Sequence, residues 1–416
     1  MNASNLYRGL FELLTAPHGE AASHMPDSAG RQARRELLAV ARKEGCLPEL
    51  YAVWEPADLL SPSEAVENDL FTRRRASTTA LRRVLPAGSL LTGTSGLRSG
   101  AGALEVLLPD FAAIGALHEA VTRLGYRLHG AGEWLVSLRD PARGGAASFR
   151  YAMGVQAGSA VAIEVQVGGV PIDARRNLPF ADLAVHALKL EGLACRALDP
   201  TRQVLHRVVT FGARGTSVTV REIAELHLLL KGAGHRIDHA WLKGRLDRLD
   251  AWACLRPLRE AIAAKRLGAL LSWGEFGRLV EFGCARADAL DTHRKRQPRA
   301  GTLLKNGFEM LQGPRRNDVA ARLARAPWLV SRVWAAGHRV CGVPVSSKAF
   351  DAPRLLRIDG AMYLATGAGL ILLSLVDLDD GARAAVGEGV RTGRRPVVLA
   401  RWSTAQTSRR GRVGAT

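Results

Sequence analysis

Along the 416-residue chain the spacing of apolar residues changes rhythm three times, and each change marks a different kind of element. Up to about residue 85 apolar positions recur every three or four residues, the period of helices packed on one face. Leu6, Leu10, Leu13 and Leu14 form one such stripe. Leu37, Leu38 and Val40 lie between the charges of residues 31–42, and Leu70, Leu81 and Val84 follow on the basic background of Arg73, Arg74, Arg75, Arg82 and Arg83. Pro56, Pro62 and Pro86 punctuate this region.

From Leu90 the period shortens. Leu104–Leu108 is a compact apolar run between Gly102 and Pro109, suited to a buried strand. Asp110 then stands where a helix N-cap belongs, and the helix it opens presents Phe111, Ile114, Leu117, Val121 and Leu124 on one face before ending at Gly125. Residues 134–138, 149–153 and 161–167 read as further strands. In the last of these Val-Ala-Ile-Glu-Val-Gln-Val alternates, so Glu164 and Gln166 face away from Ile163 and Val165. The simplest assembly is a sheet three or four strands wide with a helix on it.

After Pro200 helical spacing returns over 203–211, 220–231, 240–249, 257–264 and 273–282. Near the end Asp359-Gly360 reads as a hairpin turn between 355–358 and 362–365, followed by the apolar run 368–376 and a further strand at 396–400. The predicted class is α+β. The chain divides into a helical region 1–88, an α/β core 89–200, a helical domain 201–330 and a small β-rich module with a basic tail, 331–416.

Composition narrows the function classes. No uncharged apolar run approaches the roughly 18 residues of a membrane span, and the N-terminal stripe lacks the basic start and apolar core of a signal peptide, which points to the cytoplasm. Five scattered cysteines (Cys46, Cys195, Cys254, Cys284 and Cys341) have neither zinc nor disulfide spacing and read as buried thiols. The net charge of +19 favours polyanions, although an Arg-rich chain that is also rich in Ala and Gly carries part of that excess through composition alone. The basic segment 292–316 reads as a solvated linker, and Arg409, Arg410 and Arg412 belong to the tail.

One stretch carries chemistry. Leu90-Leu91-Thr92-Gly93-Thr94-Ser95 is a small-residue turn at which backbone N–H groups can approach phosphate oxygens. The strand after it carries Glu105, and Glu164 occupies a comparable place on a later strand, so two carboxylates are available to a divalent cation. Each also has a plainer reading: Glu105 as an ion-pair partner of an arginine such as Arg98, Glu164 as a solvent-facing residue, and Gly93 to Ser95 as a turn. His186, His206 and His227 lie on helical patterns and read as packed or surface residues, and Asp199 before Pro200 as a turn or cap residue. Gly212 to Ser217 lacks the lysine and the spacing of a P-loop. Asp377, Asp379 and Asp380 lack the remaining ligands of a calcium loop.

In order and context these motifs resemble a family of bacterial nucleotidyltransferase-like proteins. Its members read Leu-Lys-Gly and small residues, then Arg, a Gly-Asp-Ile-Asp-Leu-Leu-Val strand, a helix ending in Gly-Tyr, and a Val-Glu-Leu-His strand. This chain offers Leu91-Thr92-Gly93, Arg98, Gly102-Ala103-Leu104-Glu105-Val106-Leu107-Leu108, Gly125-Tyr126 and Ile163-Glu164-Val165-Gln166. The resemblance covers residues 30 to 290. It implies a nucleotidyltransferase-like mixed sheet flanked by helices, with a nucleoside triphosphate and Mg2+ or Mn2+ as ligands. Glu105 and Glu164 would hold the metal, Gly93, Thr94 and Ser95 would cradle phosphates, and Arg98 would neutralise charge. The acceptor class is open: a peptide, a protein, a small molecule or RNA, as in peptide or polysaccharide tailoring.

The chain departs from the pattern at Thr92 (Lys in the family), Ala103 (the first metal Asp), Glu105 (a longer acid than the second Asp) and Gln166 (His). Those departures define a second reading, a catalytically degenerate fold kept as a binding or scaffolding module. A basic nucleic-acid-binding protein is the third.

Overall fold

The computed structural model describes residues 3–15, 31–55, 60–92, 103–129, 134–140, 144–153, 161–172, 176–214, 217–294, 340–358 and 361–374. In chain order the elements are α1 (Ala3–Thr15), α2 (Arg31–Lys43), α3 (Leu47–Trp54), α4 (Pro62–Val84), β1 (Leu90–Leu91), β2 (Leu104–Leu108), α5 (Ala113–Thr122), β3 (Arg127–His129), β4 (Trp134–Asp140), β5 (Gly144–Ala152) and β6 (Ile163–Val167). There follow β7 (Gly169–Pro171), β8 (Asn177–Pro179), α6 (Phe180–Ala184), β9 (Leu188–Lys189), β10 (Arg196–Ala197), α7 (Pro200–Arg214), α8 (Val220–Ala233), α9 (His239–Arg248), α10 (Arg256–Lys265) and α11 (Gly274–Arg294). Strands β11 (Val340–Ser346), β12 (Arg354–Ile358), β13 (Ala361–Thr366) and β14 (Gly369–Ser374) close the order. The protein is α+β.

A mixed 12-stranded sheet runs β12-β13-β14-β11-β4-β5-β6-β2-β1-β10-β9, with β3 paired to β5. It is much wider than the three or four strands expected. The added width has two sources: β1, β9 and β10 are two residues long and leave no alternation to read, and β11 pairs antiparallel with β4. Through that pair the C-terminal strands, expected as a module of their own, continue the central sheet. The hairpin expected near their start is present as β12–β13, in register from Arg354↔Ala365 to Ile358↔Ala361; its turn, Asp359-Gly360, lies outside the described residues.

Alternation along the central strands sends two sets of side chains to two cores. Leu104, Val106 and Leu108 of β2, with Ile163, Val165 and Val167 of β6, pack under α5 and the end of α4. There Phe111, Ile114, Leu117 and Val121 are buried as predicted, whereas Leu124 lies past the helix end and is 38% exposed. Asp110 accepts the Ala113 amide at 3.0 Å, and Gly125 takes φ +85°, which a residue without Cβ adopts freely. On the opposite face Leu90 and Leu107 join the larger core built by α1 to α3 and α7 to α11. Glu105, Glu164 and Gln166 belong to this helix-covered face. No helix among the described residues is long and apolar enough to cross a membrane.

Candidate functional site

β2 and β6 are parallel neighbours, and their register sets Glu105 directly opposite Glu164. Both side chains are half-buried on the face turned towards α7. The next strand outward, β5, places Arg150 opposite Glu164, so Arg150, Glu164 and Glu105 form one row across three strands. Adjacent strands lie about 4.8 Å apart, a spacing at which two glutamates can share one cation. The Nε atom of Arg150 is buried and has no hydrogen-bond partner among the described residues.

At the end of β1 Thr92 is buried, and its hydroxyl donates to Glu105 Oε2 at 2.7 Å. Thr92 therefore holds the carboxylate through an uncharged donor. The backbone oxygen of Thr92 accepts from Gln203 Nε2 at 3.3 Å, which ties the start of the small-residue turn to α7.

Helix α7 supplies the lid of this row. Asp199 caps it: its Oδ1 accepts the amide of Thr201 at 3.0 Å, as its place before Pro200 predicted. Between apolar Val204, Leu205, Val208 and Val209 the helix carries Gln203, His206, Arg207 and Thr210. His206 is fully buried, with Nε2 3.3 Å from Gln166 Oε1. Arg207 pairs with Glu225 of α8 at 2.7 Å. Burial works against the Arg207 charge, but Glu225, then Glu105 and Glu222, outweigh it and hold the guanidinium proton more firmly than water does. Sequence reasoning missed Arg207; the available signal was the polar stripe at spacings of three and four on an otherwise apolar helix.

The structure thus brings Glu105 and Glu164 together and adds Thr92, Arg150, Gln203 and Arg207 around them. Gly93, Thr94, Ser95 and Arg98 lie outside the described residues, as do Asp377, Asp379, Asp380 and the basic segment 295–316. Ala103, on the same side of β2 as Glu105, is exposed and contributes no oxygen. No group of three or more His, Cys, Asp or Glu side chains suited to a metal gathers among the described residues. Two carboxylates match a single Mg2+ or Mn2+ that keeps most of its water or takes phosphate oxygens, since Mg2+ is commonly bound by one or two carboxylates plus substrate phosphates. They do not make a two-metal site.

The plainer readings of other residues hold. Gly212 lies inside α7, where a Cβ would fall 2.7 Å from the Cys254 Cα; it is a packing glycine, not part of a phosphate loop. His227 packs edge-on to Phe11, with ring centroids 5.4 Å apart. Cys46, Cys195, Cys254 and Cys284 are buried free thiols, and burial pushes those of Cys46, Cys195 and Cys284 up, away from nucleophilic thiolate. Comparison of the chain with protein-family models, curated proteins and solved structures finds no match.

Proposed function

We propose that this is a nucleotidyltransferase-like protein whose Glu105 and Glu164 hold a nucleoside triphosphate through one divalent cation. The observation that carries the reading is the register of β2 and β6, which sets the two carboxylates side by side on one face of a mixed sheet. Two further features support it. The buried Arg150 Nε, which has no hydrogen-bond partner among the described residues, is a donor suited to a phosphate oxygen. Thr92 fixes the direction of Glu105 before any ligand arrives, so less ordering is left to be done on binding, and Arg207 adds positive charge nearby. The cation, when bound, would offset charge between carboxylates and phosphates. The protein's own residues orient the nucleotide and exclude water beneath α7.

Calorimetric titration with ATP, GTP, CTP and UTP, with and without Mg2+ or Mn2+, tests the proposal. Metal-dependent binding of at least one nucleotide is expected, weakened tenfold or more in the Glu105→Ala, Glu164→Ala double variant. Absence of any metal-dependent component of binding, or its retention in the double variant, would overturn it.

The second reading, a binding module without transfer chemistry, is favoured by Ala103, which leaves the row one oxygen donor short of the family pattern. Incubation with γ-phosphate-labelled nucleotide separates the two. Release of pyrophosphate marks an enzyme, and binding without release marks the module.

A further inference from the structure

A second feature lies at the N-terminal end of α7, and neither Glu105 nor Glu164 lines it. Between α6, the first turn of α7 and α9 runs a groove of about 660 Å³, within the range of small-molecule sites. Its polar residues fall into two groups. Asp199, Asp182 and Asp238 are already engaged: Asp199 caps α7 and meets Arg202 at 3.3 Å, Asp182 pairs with Arg245, and Asp238 accepts the Trp241 amide at 2.8 Å to cap α9. The two helix starts are therefore capped from within.

Arg236 and Arg248 are different. Both are exposed, both line the groove, and among the described residues neither pairs with a carboxylate. Arg248 Nε donates to the Gly244 carbonyl at 3.4 Å, and the charges of Arg248 and Arg236 have no ion-pair partner among the described residues.

The groove is also pre-formed. Thr201 Oγ1 donates to the Arg236 carbonyl at 3.3 Å and accepts the Asp238 amide at 3.0 Å, pinning the loop before α9 to α7. Arg202 lies 4.4 Å over the Trp241 ring and fixes the indole. The remaining wall is apolar and open: Val185 and Leu188, 63% and 47% exposed, are two of the five large hydrophobic side chains left exposed among the described residues. Two guanidiniums without an ion-pair partner among the described residues, sharing a groove with aromatic and aliphatic side chains, match a ligand with a multiply charged anionic end and an organic body. Guanidiniums grip phosphate through paired N–H donors, and the three oxygens of a phosphate can serve two guanidiniums where the two of a carboxylate are filled by one fork.

We propose that this groove binds a small organic phosphate, its phosphate held by Arg236 and Arg248 and its organic part laid against Trp241, Val185 and Leu188. The inference does not depend on the carboxylate row, and its test is run without divalent metal. The probes are AMP and pyrophosphate, titrated calorimetrically into the full chain in EDTA.

AMP is expected to bind saturably. Arg236→Gln with Arg248→Gln should weaken both probes at least tenfold, while Trp241→Leu should weaken AMP several-fold and leave pyrophosphate unchanged. Arg75→Gln with Arg83→Gln, which removes the same charge from exposed positions on α4, should change neither; unchanged urea midpoints verify that the variants fold. Three results would overturn the proposal: no saturable binding at millimolar probe, equal losses in the two double variants, or binding only to single-stranded oligonucleotides that collapses with salt. Retention of AMP binding in the Glu105→Ala, Glu164→Ala variant keeps the two sites distinct.

Discussion

Glu44 is 2% exposed, and its two carboxylate oxygens serve different elements: Oε2 accepts the Val220 amide at the start of α8 at 2.7 Å, and Oε1 meets Lys265 Nζ of α10 at 3.0 Å. Removing one member of such a pair leaves the other charge buried without compensation, which costs about 3–5 kcal/mol. Lys265→Met is expected to lower stability by that amount in urea unfolding. The Glu44→Gln, Lys265→Met double variant should lose less than the sum of the singles, because no lone charge remains. His118 gives a residue-scale pH dependence. Its Nδ1 lies 3.0 Å from the Tyr151 hydroxyl, and burial lowers its proton affinity below that of a free imidazole. The unfolded chain therefore binds the proton first as pH falls, so the stability His118 contributes is complete above about pH 6.5 and is lost as pH drops through its lower folded value. His227 shifts the same way, through burial and then Lys231. Unfolding midpoints between about pH 7.5 and 5 should decline more steeply in the wild type than in His118→Gln.

Among the elements, α5 and the C-terminal hairpin meet through glycine. A Cβ on Gly367, in the turn between β13 and β14, would fall 2.8 Å from the Gly115 amide nitrogen of α5, against backbone that cannot rotate aside. Gly367→Ala should force helix and sheet apart and cost about 1–3 kcal/mol. Gly232→Ala, at a helical position with nothing within 4 Å, should instead stabilise by about 0.5–1 kcal/mol. Paired thermal melts check both signs. Elements were legible in the sequence wherever side-chain period and end signals agreed. Leu104–Leu108 is the strand predicted, and α8 (Val220–Ala233) covers the helical spacing read over 220–231; the structure adds the capping box of Thr219 and Glu222 at its start. β11 was not legible, because Pro344 reads as a breaker. The strand admits it where its register against β14 shifts between Pro344 and Ser346.

For the whole molecule the sheet is a partition, with α5 below and the large helical layer above. The C-terminal strands contribute Val340, Leu364, Ala368, Ile371 and Leu373 to the lower core and cover the edge of β4. A chain ending at residue 339 would leave that edge and those contacts open. It should aggregate, as an uncovered edge template does, and show a light-scattering mass above that of a monomer. A monomeric truncated chain with an unchanged melting temperature would show that these strands stand apart from the core.

The sequence by itself determined the local elements, the opposite facing of Glu164 and Ile163, the cap at Asp199 and the pair of acids on short strands, because period, capping and charge are properties of neighbours along the chain. Tertiary structure decided what those elements meet. The alignment of Glu105 with Glu164 depends on the register between strands more than fifty residues apart in sequence. Arg207 and Arg150 reach the row only because α7 crosses it and β5 flanks it, and the groove of Arg236 and Arg248 exists only where three helices converge. Hydrogen-bond register and helix packing are settled between distant segments, so no local pattern records them.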